Sequence, residues 1–226
     1  MQGDGVNTAA NENEPIIYPE DTLAQLVYRY DGPLRWATGE NLDLVRCGHI
    51  APGATVLDVG CGTGYLSIPL AETVRPDGTV CCVDLCPQLQ GTIAQKAARR
   101  GVQDVFRFFT ARANALPFDD HSFDGVFCSY LLHELDALVM EGLREMRRVL
   151  KPNARLVIAD YRRVPDAERC REIEAWYGAQ RDGSGKTERR LRFGLEELET
   201  MLFQVGFRAV SVGNWCEFHM HAAAVK

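Results

Sequence analysis

The residues able to do chemistry gather at four places along the chain. The first is Asp58-Val59-Gly60-Cys61-Gly62-Thr63-Gly64. Glycines at alternate positions let a backbone turn tightly and approach a ligand closely. A helix after them offers free amides and the positive end of its dipole. The Asp58 carboxylate can hold such amides in place or accept from a ligand ammonium group. The second place is Asp84, 20 residues beyond Gly64. An acid there can accept from the hydroxyls of a ribose, or it can cap the helix expected after it. The third is Ser129-Tyr130-Leu131-Leu132-His133-Glu134. His133 is the candidate base, because its unperturbed pKa of ~6.5 suits proton transfer near neutrality. The alternative is a histidine at a helix start that bonds a backbone group. Tyr130 and Tyr161 are candidates for the wall of the same pocket. The fourth is His219-Met220-His221, where alternation along a strand puts both imidazoles on one face; two ligands do not complete a zinc site, so no metal is expected.

These groups need a scaffold that brings them together. Short apolar runs at Thr55–Val59, Thr79–Asp84, Val105–Phe109, Phe123–Ser129 and Arg155–Asp160 read as strands. Helical patterns fall between them at Tyr65–Val74, Pro87–Arg100 and Leu135–Leu150. This alternation predicts parallel strands joined by helical crossovers, with a sheet covered on both faces. A helix over Leu195–Val205 and strands over Phe207–Val212 and Cys216–Val225 follow, the last two joined at Gly213-Asn214 as a hairpin. The expected fold is therefore α/β: a Rossmann-like, doubly wound, mostly parallel sheet of seven strands with an antiparallel carboxy-terminal hairpin. Its ligands belong at the carboxyl ends of the strands.

The 226 residues suit one domain, expected over 16–226, after a polar tail at 1–15. Residues 16–50 read as amino-terminal helices forming part of a lid, and 161–193 as a lid insertion. Trp36 and Trp176 are candidates for its apolar lining. The 25 basic and 31 acidic residues leave a net charge of −6, which disfavours nucleic acid as a partner. The longest stretch without a charged side chain, Val59 to Ala71, is 13 residues, short of the ~18 that a membrane span needs. The amino terminus has no cationic start and no apolar run, so a cytoplasmic protein is expected. None of the eight cysteines has C-x-x-C spacing, and they read as structural thiols.

Two phosphate motifs fail on inspection. A dinucleotide loop needs a third glycine where Tyr65 stands. Gly185-Lys186-Thr187 lacks the glycine five residues earlier, where Gln180 stands, and so does not read as an ATP loop.

The glycine segment, together with Asp84 and the run Ala113-Asn114-Ala115-Leu116-Pro117-Phe118, resembles the class I S-adenosylmethionine-dependent methyltransferases. Arg148-Val149-Leu150-Lys151-Pro152-Asn153-Ala154 resembles the same family's turn into its fifth strand, and Tyr30-Asp31 the entry segment of its ubiquinone/menaquinone-biosynthesis type. The resemblance covers roughly residues 25–226. It implies S-adenosyl-L-methionine as cofactor, held by Tyr30, Asp58, Gly60, Cys61, Gly62, Gly64, Asp84, Leu85, Ala113, Asn114 and Ser129. Asp84 would take the ribose, Leu85 would pack on the adenine and Tyr30 would lie over the cofactor. The family's usual aspartate before Ala113 accepts from the adenine amino group. Here it is Arg112, which has no acceptor, so Asn114 or the Ala113 backbone would replace it. The implied activity is methyl transfer by in-line displacement to a small organic acceptor, with His133 and Tyr130 as catalytic candidates. The alternatives are a non-catalytic S-adenosylmethionine-binding regulator and a protein or RNA methyltransferase.

Overall fold

The computed structural model describes residues 14–31, 36–169, 171–172 and 193–226. Among them, seven strands form one sheet in the order β3-β2-β1-β4-β5-β7-β6. The strands are β1 (Thr55–Val59), β2 (Thr79–Asp84), β3 (Phe106–Thr110), β4 (Phe123–Ser129), β5 (Leu150–Tyr161), β6 (Arg208–Asn214) and β7 (His219–Val225). The first five are parallel, while β7 runs antiparallel to both β5 and β6. The helices are α1 (Glu20–Tyr30), α2 (Glu40–Cys47), α3 (Ser67–Val74), α4 (Leu89–Arg100), α5 (Val139–Val149) and α6 (Leu195–Val205).

Strand alternation divides the core into two layers. Leu57, Val59 and Val126 pack with Leu143 and Met146 of α5 and Leu198 and Leu202 of α6. Val56, Val80 and Phe127 point the other way, toward Leu44 of α2, Ile68 and Leu70 of α3 and Ile93 of α4. The chain leaves β1 toward β2 and β3, then returns to build β4 and β5 on its other side. The order therefore reverses at the carboxyl ends of β1 and β4, which is where such sheets bind ligands. Both the glycine segment and Ser129–Glu134 emerge there.

Several boundaries differ from the sequence expectation. The helix expected from Leu135 begins at Val139, after short 3-10 turns at Leu132–Glu134 and Asp136–Leu138. Asp136 sits at φ +50, a left-handed conformation that cannot continue a helix. The helices expected from Tyr65 and Pro87 start two residues later in each case. The third strand is Phe106–Thr110 rather than Val105–Phe109, because a 3-10 turn takes up Gln103–Val105. The strand expected from Arg155 begins at Leu150, with a register irregularity against β4. Gly213-Asn214 is not the hairpin turn. Gly213 pairs with His221 inside the ladder, and the turn spans 215–218, closed by the Trp215 amide on the His219 carbonyl. A Cβ on Gly213 would lie 3.0 Å from the His221 ring, so that glycine makes room for an imidazole.

Arg148 supports the architectural reading of its segment. Its guanidinium reaches Glu145, Asp120 and the carbonyls of Leu116 and Phe118, fixing the loop before β4 to α5. The expected tail falls outside the described residues up to position 13. So does the lid insertion at 170 and 173–192, including Trp176 and Gly185-Lys186-Thr187. No described helix is long and apolar enough to cross a membrane.

Candidate active site

The glycine loop holds its shape through its own backbone. Gly60, Gly62 and Gly64 all have positive φ, at 71°, 52° and 89°. The amides of Gly60 and Cys61 both donate to the Val83 carbonyl, at 2.8 and 3.0 Å, and that of Gly64 donates to the Cys61 carbonyl. The Gly62 amide donates to Asp84 Oδ2 at 2.9 Å. Asp84 Oδ1 accepts from the Cys86 amide, also at 2.9 Å. The carboxylate thus ties the loop after β1 to the loop after β2. Burial raises its pKa, and the bonds from the Cys86 and Gly62 amides oppose the rise.

Asp58 is buried and accepts from the Ser67 hydroxyl at the start of α3. The Cys61 thiol is turned into the core, where it bonds Cys82, and its pKa is pushed up mainly by that bond and by burial. Only the backbone of Cys61 belongs to the loop surface. A Cβ built on Gly60 would lie 2.8 Å from Leu131, so the segment after β4 closes directly over the loop.

The amino-terminal segment covers this site. The Tyr30 ring reaches 4.0 Å from where a Cβ on Gly62 would be. Asp31 accepts from the Thr63 hydroxyl at 2.8 Å and pairs with Lys96 of α4, whose ammonium also donates to the Thr63 carbonyl. Further out, the Ile16 amide donates to the Leu85 carbonyl, and Tyr18 exchanges two hydrogen bonds with Gln88. The phenols of Tyr18 and Tyr30 both have raised pKa values. Burial is the main cause, and the nearby negative groups include Asp84 and Glu134 for each. Tyr18 therefore lies against the start of the segment after β2. In sequence it stood only within the lid segment 16–50, because nothing local marks a residue that bonds Gln88, 70 positions away.

His133 lies beside the loop on the other side. Its Nδ1 is 2.7 Å from Asp160 Oδ1, and both residues are buried. Asp160 is also held by the amides of Tyr161 and His133. The imidazole Nε2 is 3.3 Å from Glu134. Burial alone would lower the pKa of His133. The charge and hydrogen bond of Asp160, with Glu134 behind them, overcome that and raise it to about 9. The expectation of an unperturbed histidine is thus corrected: β5 lies next to β4 and delivers a carboxylate to it.

The shift has a consequence for stability. The folded pKa lies above the ~6.5 of an unfolded histidine, so the stabilisation is complete below pH ~6.5 and is lost as the pH rises through about 9. At ~1.36 kcal/mol per unit it amounts to about 3 kcal/mol. Urea unfolding of the wild type and His133→Gln from pH 6 to 10 is expected to show their stability difference shrinking by that amount.

The wall beyond His133 is aromatic. The Tyr161 ring centroid is 5.0 Å from those of His133 and Tyr130 and 5.2 Å from that of His219. Tyr130 has φ +55 and donates to Glu40. Ser129, at the end of β4, is buried beneath this wall. Leu85 is partly exposed next to Asp84. Ala113 is buried near Gly142 of α5, so it is the backbone of Ala113 and the partly exposed Asn114 that remain to meet a ligand. The buried Arg112 Nε has no hydrogen-bond partner among the described residues. Trp36 packs on Tyr65 and beneath the Lys96 ammonium, in the core layer with α2 to α4. Among the described residues no three His, Cys, Asp or Glu side chains converge as metal ligands.

The loop can be tested against the ligand its family resemblance implies. A diphosphate would find these amides already engaged and a carboxylate beside them, the reverse of an anion site. A neutral ribose diol finds acceptor lone pairs, since a carboxylate offers about four and the amides of Gly62 and Cys86 take one on each oxygen. A sulfonium or ammonium group finds Asp84 and Glu134. The residues fit S-adenosylmethionine.

The sheet order, the glycine loop after β1 and the acid at the end of β2 together define a doubly wound α/β protein with a ligand site at its strand ends. Residues 56–153 match the family model described as "Methyltransferase domain". The chain is 32% identical over 192 residues to the demethylmenaquinone methyltransferase of Lactiplantibacillus plantarum, covering 78% of each chain. It is 37% identical over 126 residues to the 2-phytyl-1,4-naphtoquinone methyltransferase of Trichormus variabilis, covering 56% of this chain and 54% of that one. The chain thus spans about half the length of several curated relatives that it matches. In structure it resembles an S-adenosylmethionine-dependent methyltransferase from Aquifex aeolicus, with a TM-score of 0.70 and 23% identity over 92% of this chain and 99% of that one. The chain belongs to the class I S-adenosylmethionine-dependent methyltransferase family, in its ubiquinone/menaquinone-biosynthesis type.

Proposed function

We propose that the chain is a cytoplasmic, single-domain enzyme that transfers the methyl group of S-adenosylmethionine to a small hydroxylated aromatic ring. The observation that carries this is the buried His133–Asp160 pair at the strand ends, beside a glycine loop whose acid suits a ribose. When bound, the cofactor supplies a methyl group on a sulfonium, open to in-line displacement. Gly60, Gly62 and Gly64 provide the close backbone approach, Asp84 takes the ribose hydroxyls, and Leu85, Ala113 and Asn114 meet the adenine. Tyr30 closes over the sulfur end. Asp160 orients His133 and holds the proton on Nδ1. The deprotonated Nε2 then takes the acceptor's hydroxyl proton, and Tyr130 and Tyr161 flank the ring.

The ring system rests on the relatives, whose names carry demethylmenaquinone and 2-phytyl-1,4-naphtoquinone; the proton that His133 takes requires the reduced, dihydroxy form of such a ring, because a quinone has no hydroxyl. With a net charge of −6, the chain is a poor fit to RNA. The test uses the purified chain, tritium-labelled S-adenosylmethionine and 1,4-dihydroxynaphthalene. The expected result is a labelled product heavier by one methyl group. Saturable cofactor binding without transfer to this or any other acceptor would instead make the chain a binding protein.

A further inference from the structure

Glu40 was not singled out in sequence, and it is one of the most deeply buried acids among the described residues, at 3% exposure. It opens α2, directly after the segment that covers the glycine loop. Its carboxylate turns away from its own helix and accepts from Tyr65, at 2.9 Å, and from Tyr130, at 2.7 and 2.8 Å. The Tyr130 oxygen is also 3.2 Å from His219 Nδ1. A phenol has one proton, and this one is directed at Glu40. In that contact the Tyr130 oxygen is therefore the acceptor and a protonated His219 Nδ1 the donor. The chain of bonds runs from His219 through Tyr130 to Glu40, with Tyr65 joining from the residue next to Gly64.

Burying a carboxylate on hydroxyl donors, with the His219 imidazole 4.0 Å away, is costly, and an apolar residue of similar size commonly serves stability as well or better. Tyr130 supplies an independent observation. A bulky residue at φ +55 is strained, and such strain persists only where surrounding contacts over-determine it. Here those contacts are the Tyr130 amide on the Ala159 carbonyl and the Tyr130 hydroxyl on Glu40.

We propose that Glu40 is a positioning residue for the acceptor. Its carboxylate holds the Tyr130 hydroxyl, and through it the His219 imidazole, against the Tyr161 ring, so that the acceptor wall is set by the first residue of α2. This rests on the methyl-transfer reading of the site above. Glutamine at position 40 keeps the size but loses the charge and puts an NH₂ donor where Oε1 accepts from Tyr130, so the hold on the Tyr130 hydroxyl weakens.

The test is calorimetry in two stages on wild type, Glu40→Gln, Tyr130→Phe and the double variant. S-adenosylhomocysteine is titrated first, then 1,4-dihydroxynaphthalene into the loaded protein. The expected result is S-adenosylhomocysteine affinity within about threefold throughout and diol affinity lower by about tenfold or more in each single variant. The double variant should be no worse than the weaker single one, because both remove the same contact. If Glu40→Gln weakens both ligands alike, or lowers only the melting temperature, Glu40 is scaffold and the proposal is overturned. Equal diol binding by wild type and Glu40→Gln, including binding by neither, also overturns it. Wild type that fails to bind S-adenosylhomocysteine removes the methyl-transfer reading itself, a distinct outcome visible in the first stage.

Discussion

His133→Gln is expected to lower turnover by ~10²–10⁴-fold, the usual worth of a positioned general base, while the Kd for S-adenosylhomocysteine stays within about threefold. The argument is geometric first. Asp160 accepts from Nδ1 at 2.7 Å, so the proton-accepting atom is Nε2, on the side of the ring where Glu134 stands. A pKa raised to about 9 means that only about one site in a hundred carries a free Nε2 at pH 7. Turnover should accordingly rise with pH along a single limb that levels off above pH 9. Asp160→Asn removes the charge that raises the pKa most and leaves burial, which lowers it, against the weaker upward pull of Glu134. The limb should then move down, toward or below ~6.5. A limb that stays in place in Asp160→Asn would remove His133 from proton transfer, as would turnover in His133→Gln close to that of wild type.

Asp84→Ala is expected to weaken S-adenosylhomocysteine by ~10- to 100-fold in calorimetry. Hydrogen bonds to a charged group contribute ~1.5–3 kcal/mol each, and Asp84 is asked for two things at once. It offers lone pairs to the ribose, and it holds the Gly62 amide that keeps the loop in place. Asp84→Asn separates these roles. It retains an oxygen for Gly62 but loses half of the accepting capacity, so its loss should fall between wild type and alanine. Unchanged affinity in both variants would place the ribose elsewhere.

The parts of the site set by local backbone demands were legible in the chain of letters. Three alternating glycines and an acid at the end of the next strand state their requirements within a few residues, and they stand where expected. The strand and helix alternation likewise announced the sheet, because burial on both faces leaves unbroken apolar runs. Legibility ended where contacts span the chain. Asp160 is 27 residues beyond His133, yet parallel neighbours β4 and β5 put the two side by side. No strand order was read from the sequence, and without the β4–β5 pairing nothing marked Asp160 as the partner that shifts His133. Glu40 meets Tyr130 across 90 residues, and no periodicity foretells that. The helix expected at Leu135 failed for a local reason, the left-handed Asp136, which only a backbone angle reveals.

Four amides of the glycine loop are engaged within the protein itself, by Val83, Asp84 and Cys61. The entropy of shaping that loop is therefore met when the protein folds rather than when the nucleoside arrives. Preorganisation of this kind cuts the cost of binding. The cofactor's affinity should then report its own contacts with little loss to loop ordering, and amide exchange at Gly60, Cys61, Gly62 and Gly64 should be slow before any ligand is added.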